Sequence, residues 1–164
     1  MRAFAFVLMR VSNSSIPLIA KQLLTAQRTV HTIDFQTVTS EELQNFFIDF
    51  SFRMDTTSLL HGIAAWFDLD FNGSDNKIVL STAPDQPGTH WYQCRLLLRE
   101  PIAVNNGQCV SGRLDFEAND KFSYFLDLKA RLDGTHIEAF NSRINLHDQM
   151  YHYLYGGGAT DAGY

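Results

Sequence analysis

Cysteine is scarce in this chain of 164 residues, which contains only two. Cys94 and Cys109 stand in unlike contexts and without metal-ligand spacing, so we expect two free thiols in an intracellular protein. The histidines offer no better ligand set, because His147 and His152 are poorly spaced for sharing a metal ion and no His-x-His pair occurs. The sequence therefore predicts neither a disulfide framework nor a metal site.

Long apolar runs and concentrated positive charge are also missing. The apolar run in residues 1–10 is too short to cross a membrane, so we expect no membrane span, and a secretory leader is disfavoured because no clear cleavage site follows the run. The net charge is −5 and no basic stripe is visible, which argues against direct binding of nucleic acid. An acidic face would suit arginine-rich partners, but an ordinary solubilising surface explains the same charge.

Motifs of common enzyme sites are absent as well. No G-x-G turn follows a strand pattern, so we expect no domain that binds a nucleotide-type cofactor. No G-x-S-x-G elbow surrounds Ser81-Thr82, so we expect no hydrolase nucleophile there. Asp68 and Asp70 share one strand face, which we interpret as a solvated face rather than a catalytic pair. For His61 a packing or capping role, and for His31 an exposed or hydrogen-bonded one, are the preferred interpretations.

Alternation of apolar and polar residues is what the chain has in abundance. The 13 Phe suit strands, and period-two patterns recur with turn signals between them, at residues 46–54, 61–71, 76–82, 91–98, 110–117 and 122–132. Thr39 and Glu42 have capping-box spacing before a short helix, and Asn106-Gly107 favours a hairpin. We predict a mainly β fold, a single antiparallel β-barrel or sandwich with one or two short helical segments.

Four sequence blocks occur in order and close together at the centre of the chain. They are His61-Gly62, Ala65-Trp66-Phe67-Asp68, Leu80-Ser81-Thr82-Ala83-Pro84 and Thr89-His90-Trp91-Tyr92-Gln93. This combination resembles the C-terminal β-barrel of type I protein arginine N-methyltransferases, and most of all the coactivator-associated, histone-arginine group. The Thr-His-Trp triplet is similar to that family's "THW loop".

The resemblance implies a function for the complete enzyme, namely methyl transfer from S-adenosylmethionine to arginine, with this domain as one wall of the substrate groove. It implies a supporting catalytic role for His90, which would hold a carboxylate network, and a substrate-binding role for Trp91 and Thr89. The implied partners are the chain's own catalytic domain and arginine-rich proteins such as histones, in the nucleus and cytoplasm. Because the cofactor-binding half is missing from the sequence, we expect the chain alone to bind no cofactor and to be inactive.

The resemblance covers roughly residues 17–155, so we predict a β-barrel domain over 16–155. Residues 1–15 are an uncertain extension, for which a strand is one interpretation. Residues 156–164 are expected to be a disordered, glycine-rich tail. The family's helical dimerisation arm is not recognisable here, which leaves a homodimer of the complete enzyme open.

A second class of function stays open at this point. A stand-alone β module could bind a peptide or sugar through exposed aromatic residues such as Trp66, Trp91 or Tyr92. A pocket lined by these side chains would favour that module, whereas a flat exposed patch near Thr89 and Trp91 would favour a severed domain interface. A lipid-binding calyx is disfavoured, because the many Phe leave little room inside.

Overall fold

The computed structural model describes residues 2–9, 22–73 and 75–148, the first of these ranges as backbone only. Within them lie ten strands, one short α-helix and a terminal 3-10 turn. The strands are β1 (Arg2–Met9), β2 (Thr29–Ile33), β3 (Asn45–Arg53), β4 (Ser58–Asn72), β5 (Lys77–Ser81), β6 (Cys94–Val104), β7 (Cys109–Ala118), β8 (Tyr124–Leu132), β9 (Glu138–Phe140) and β10 (Ile144–Asn145). The helix α1 spans Ser40–Gln44 and the 3-10 turn spans Leu146–Asp148.

The strands form two antiparallel sheets of five. The first runs β2-β1-β4-β5, with β6 also paired to β4, and the second runs β10-β8-β7-β3, with β9 also paired to β8. The sheets meet at an isolated bridge between Leu98 and Asn141. The predicted mainly β, antiparallel fold is confirmed, and the described strands take its sandwich form rather than one continuous closed ladder.

One core lies between the sheets, and the alternation in β3 shows how the sequence builds it. Ile48, Phe50 and Phe52 are buried while the residues between them are exposed. Because successive side chains of a strand point to opposite faces, this pattern sets which face of β3 is covered. The buried cluster draws on both sheets, and its least exposed members include Phe52, Leu60, Ile63, Leu96, Leu114, Leu126 and Leu128.

The pairing of β4 with β6 is interrupted by a bulge. Leu60 pairs with Ile102 and Gly62 with Leu97, so the residues around Pro101 fall in the irregular stretch between the two registers. Proline has no backbone N–H to donate to the hydrogen bonds between strands, which agrees with an interruption of the β4–β6 pairing at this point. The bulge also changes which face of β4 points to the core. As a result Leu60 and Ile63, which are three positions apart, are both in the core.

Helix α1 begins at the predicted capping box. Glu42 N–H donates to Thr39 Oγ1 at 3.2 Å, and Thr39 N–H donates to Glu42 Oε2 at 2.8 Å. The helix ends after five residues because Asn45 is already extended and starts β3.

One strand boundary was predicted wrongly. Phe122 was expected to begin the inward-facing series of β8, but it lies in the preceding turn, fully exposed, with φ of +53°. The side chain of Asn119 accepts hydrogen bonds from the N–H groups of Lys121 and Ser123 and builds this turn locally. The strand therefore starts two residues later, at Tyr124.

The outer parts of the chain bear on the predicted domain limits. Residues 2–9, assigned to the uncertain extension, form β1, which pairs with both β2 and β4. The predicted glycine-rich tail at 156–164 and the segment before it from 149 lie outside the described residues. No helix in the described ranges is long and apolar enough to cross a membrane.

Candidate functional site

The loop between β5 and β6, residues 82–93, carries the predicted site residues and is referred to below as the β5–β6 loop. Its first residue is tied to β4, because Thr82 Oγ1 accepts from Phe67 N–H at 3.1 Å and donates to Phe67 O at 2.9 Å. Its last residue closes the base, since Gln93 Nε2 donates to Thr82 O at 2.8 Å. These contacts hold both ends of the loop against one strand.

His90 and Trp91 lie together at the exposed side of this loop. Their ring centroids are 4.0 Å apart, and Trp91 also meets Phe67 edge-on at 5.9 Å. Trp91 N–H donates to Thr89 Oγ1 at 3.4 Å, so the three predicted residues form one local unit. Trp91 remains 49% exposed, which leaves a broad aromatic surface facing outward.

The next residue shows how the loop orients this unit. Tyr92 has φ of +50°, a region that non-glycine residues rarely occupy. Its N–H lies 3.5 Å from Thr89 O, at the closing point of a tight turn. This tight turn carries the His90 and Trp91 rings and lies just before the chain enters β6.

A second set of residues braces the same loop from the side. Arg28 Nη2 donates to Asp85 Oδ2 at 2.8 Å, and its guanidinium carbon lies 5.2 Å from the centre of the buried Trp66 ring. The hydrogen bond from Arg28 holds the pKa of Asp85 below its ordinary value. This contact was not predictable from the sequence, because the two residues are 57 positions apart and neither lies in a motif.

Two surface depressions lie elsewhere on the described part of the chain. One of about 570 Å³ is lined by β2, α1 and the start of β3, and one of about 230 Å³ by β3, β7 and β8. His31 lines the larger and stacks on Phe46 at 5.5 Å, and its burial lowers the pKa of the imidazole. Neither of these two depressions is lined by Trp66, Trp91 or Tyr92.

The remaining candidates have structural partners. Asp68 accepts from Ser81 Oγ, and Asp70 forms an ion pair with Lys77 at 3.0 Å. The His61 ring lies 3.1 Å from Leu59 O. Cys94 and Cys109 are not joined in a disulfide, and the described residues contain no cluster of three or more His, Cys, Asp or Glu that could hold a metal ion.

Comparison with known proteins decides the family. The family model described as "Arginine methyltransferase oligomerization subdomain" matches residues 5–135. The chain belongs to this family. Its β5–β6 loop, with His90 and Trp91, lies inside the matched range.

Curated relatives support the same assignment. The chain is 41% identical over 123 residues to the histone-arginine methyltransferase CARMER of Anopheles gambiae, covering 75% of this chain and 20% of that protein. It is 37% identical over 128 residues to CARMER of Drosophila willistoni, covering 78% and 24%. The chain thus spans between a fifth and a quarter of the length of these relatives.

Solved structures share the fold. The Trypanosoma brucei PRMT1 enzyme–prozyme heterotetramer with AdoHcy matches with a TM-score of 0.72 at 19% identity, covering 88% of this chain and 56% of that one. Arabidopsis thaliana protein arginine methyltransferase 10 matches with a TM-score of 0.70 at 16% identity, covering 88% and 58%. The arginine methyltransferase oligomerization subdomain therefore has the same architecture in distant proteins.

Proposed function

We propose that this chain is the C-terminal β domain of a histone-arginine methyltransferase and forms one wall of its substrate groove. The observation that carries the proposal is the exposed His90–Trp91 pair on a braced loop, within a chain of the arginine methyltransferase oligomerization subdomain family. The CARMER relatives are named histone-arginine methyltransferases, which supports arginine-rich proteins such as histones as substrates. A nuclear location follows from such substrates, and a cytoplasmic pool is part of the same proposal.

Trp91 is proposed to line the substrate groove, with Thr89 shaping the turn beneath it. An exposed indole held edge-on against Phe67 presents a flat apolar face that a peptide or an arginine side chain can contact. Guanidinium groups bind such faces by cation–π attraction, because the ring face is negative and the guanidinium is weakly hydrated. This wall would orient the arginine rather than activate it.

His90 is proposed as a supporting residue that holds carboxylates of a neighbouring domain in place. Its ring packs at a tilt against Trp91 and is exposed, so a ring N–H can donate toward a surface docked on the loop. Carboxylates held in this way would bind and polarise the cationic guanidinium, which makes one of its nitrogens nucleophilic. The His90–Trp91 unit would thereby link the groove wall to the reacting groups.

S-adenosylmethionine is proposed to bind outside the described residues of this chain. Both sheets are antiparallel, and no strand of the described ranges leads through a glycine-rich turn into a helix, the arrangement that binds such cofactors. The methyl donor therefore belongs to a neighbouring domain in the proposed enzyme. On this basis the chain alone would transfer no methyl group, and assembly through the oligomerization subdomain would involve the complete protein.

A chimera tests the proposal. The catalytic part of the Anopheles gambiae relative, joined ahead of residue 1 so that β1 is retained, should methylate histone in the presence of labelled S-adenosylmethionine. Trp91→Ala should lower kcat/KM for the histone substrate by about tenfold or more, because the groove wall is lost. Phe140→Ala is the matched control, since Phe140 is equally exposed on the other sheet and should leave kcat/KM unchanged.

Three outcomes would contradict the proposal. The first is methyl transfer by the isolated 164-residue chain, and the second is a folded chimera without activity. The third is a Trp91→Ala chimera that matches the unaltered chimera in kcat/KM.

A further inference from the structure

We propose that Arg28 is a positioning residue that holds the β5–β6 loop, and with it Trp91, through a contact with Asp85. This inference rests on the proposed function, because it assigns a residue outside the loop to the shaping of the substrate groove. It concerns a contact between segments far apart in the sequence.

The contact has two parts that constrain one guanidinium. Arg28 Nη2 lies 2.8 Å from Asp85 Oδ2, and the guanidinium carbon is 5.2 Å from the centre of the Trp66 ring. Trp66 is 3% exposed, and its indole N–H has no hydrogen-bond partner among the described residues. The ring therefore serves as an apolar platform that limits where the guanidinium can go, so the ion pair with Asp85 has a defined direction.

The backbone that presents Arg28 is itself pinned to the turn between β3 and β4. Asp55 N–H donates to Leu24 O at 3.1 Å, and Ala26 N–H donates to Asp55 Oδ2 at 2.8 Å. One residue before Arg28, the Gln27 side chain accepts from Arg53 N–H at 2.7 Å. Arg28 thus extends from a braced segment, and its reach to Asp85 can restrain the loop.

The restraint on Asp85 would act on the part of the β5–β6 loop that follows it. A local turn, in which Gln86 N–H donates to Ala83 O at 3.1 Å, places Asp85 just before Pro87 and Gly88. Gly88 has open space around it, and the loop rejoins the sheet only at Gln93. Holding Asp85 fixes one side of this stretch, and the Phe67–Trp91 contact holds the other.

The expected effect is modest and specific. Both groups of the ion pair are between a third and a half exposed, so the pair and the cation–π contact together should change loop opening by roughly fivefold. In the proposed enzyme a loosened wall should weaken substrate binding more than the chemical step. Arg28→Ala should therefore raise KM for a histone peptide by about three- to fivefold while kcat changes less than twofold.

Hydrogen exchange of the 164-residue chain tests the anchor without any activity. Arg28→Ala and Asp85→Asn should each speed amide exchange in residues 85–92 by roughly fivefold, without changing exchange in β7 and β8. Arg28→Lys keeps the charge and should show a smaller change. Arg113→Ala is the matched control, because Arg113 also pairs with a carboxylate, Asp49 at 2.7 Å, and lies over an aromatic ring, Phe47 at 3.8 Å, on the second sheet.

The outcomes separate this inference from the proposed function. Unchanged exchange in residues 85–92 for both Arg28→Ala and Asp85→Asn overturns the anchor, as does faster exchange spread evenly over both sheets. In the chimera, a fall in kcat at constant KM for Arg28→Ala, which a loss of folded enzyme would produce, also overturns it. If the anchor variants loosen the loop but Trp91→Ala leaves kcat/KM unchanged, the proposed function fails and the anchoring contact stands.

Discussion

At the scale of single residues, Asn141 connects parts of the fold that backbone pairing leaves open. Its side chain is buried, where Oδ1 accepts from Leu128 N–H at 2.8 Å and Nδ2 donates to Leu126 O at 3.0 Å. Leu128 lies in the gap between the residues of β8 that pair with β9 and those that pair with β10, and Leu126 is the β10-paired residue at the edge of that gap. The amide thus takes the place of a missing strand residue where the two sheets meet.

Asn141→Ala should destabilise the chain by about 3 kcal/mol, because it leaves a buried N–H and a buried carbonyl of β8 unsatisfied. Urea unfolding followed by circular dichroism measures the change in the free energy of unfolding. Ser142→Ala is a matched control, since its hydroxyl accepts from the exposed Arg99 side chain at 3.1 Å, and should cost less than about 0.5 kcal/mol. Equal effects of the two substitutions would show that Asn141 does not fill this gap.

Residue roles were predictable from the sequence only where they depend on neighbours in the chain. The Thr39 and Glu42 capping box closes within one turn, so its spacing was enough to predict it. The Thr89–Trp91 unit was found from local motifs, and its assignment to a substrate groove stays a prediction. Arg28 with Asp85, and Asn141 with β8, were missed because their partners are brought together only by the packing of sheets.

At the scale of elements, Gly62 sits where β4 meets β6 just after the bulge. A Cβ at this position would lie 2.1 Å from Leu96 O and 3.0 Å from Leu97 Cα, so backbone would have to move. Gly62→Ala should therefore cost more than about 3 kcal/mol or prevent folding, because neighbouring strands cannot separate locally in a packed sheet. Thermal unfolding by circular dichroism measures this.

The matched control is Gly88→Ala, whose added methyl group would meet nothing within 4 Å. It should shift Tm by no more than a few degrees. A Gly62→Ala chain that unfolds at the unaltered temperature would show that the β4–β6 approach is looser than described. Both sites were visible as glycine in the sequence, but only the structure distinguishes the crowded one from the open one.

Element types followed from the sequence more reliably than element ends. Period-two alternation predicted β3, β7 and β8 because each buries mainly one face against the core. It also predicted a strand at β4, although there both faces are partly buried: Ile63 and its neighbours Gly62 and Ala64 are all covered. The predicted start of β8 at Phe122 was wrong, because the side chain of Asn119 accepts hydrogen bonds that form a turn there in spite of the alternation. The two-residue strand β10 is too short to carry a period at all.

At the scale of the whole molecule, the sequence could not choose between a closed barrel and a sandwich. Both arrangements bury the same alternate residues, and they differ only in hydrogen bonds between strands distant in the chain. The structure joins its sheets at the Leu98–Asn141 bridge and through a shared core. A shared core predicts that the sheets unfold together even though few backbone bonds connect them.

Leu114→Ala tests this coupling, because Leu114 is buried in β7 of the second sheet whereas both Trp residues report on the first. Trp66 lies in β4 and Trp91 in the loop held against β4, so tryptophan fluorescence follows that sheet. Leu114→Ala should lower the free energy of unfolding by about 3 kcal/mol, and fluorescence should show the same urea midpoint as far-ultraviolet circular dichroism.

Leu97→Ala, at an exposed position of β6, is the control and should lower the free energy of unfolding by less than about 1 kcal/mol. A fluorescence midpoint that stays in place while the circular dichroism midpoint falls would mean that each sheet unfolds independently, and that the core is not continuous between them.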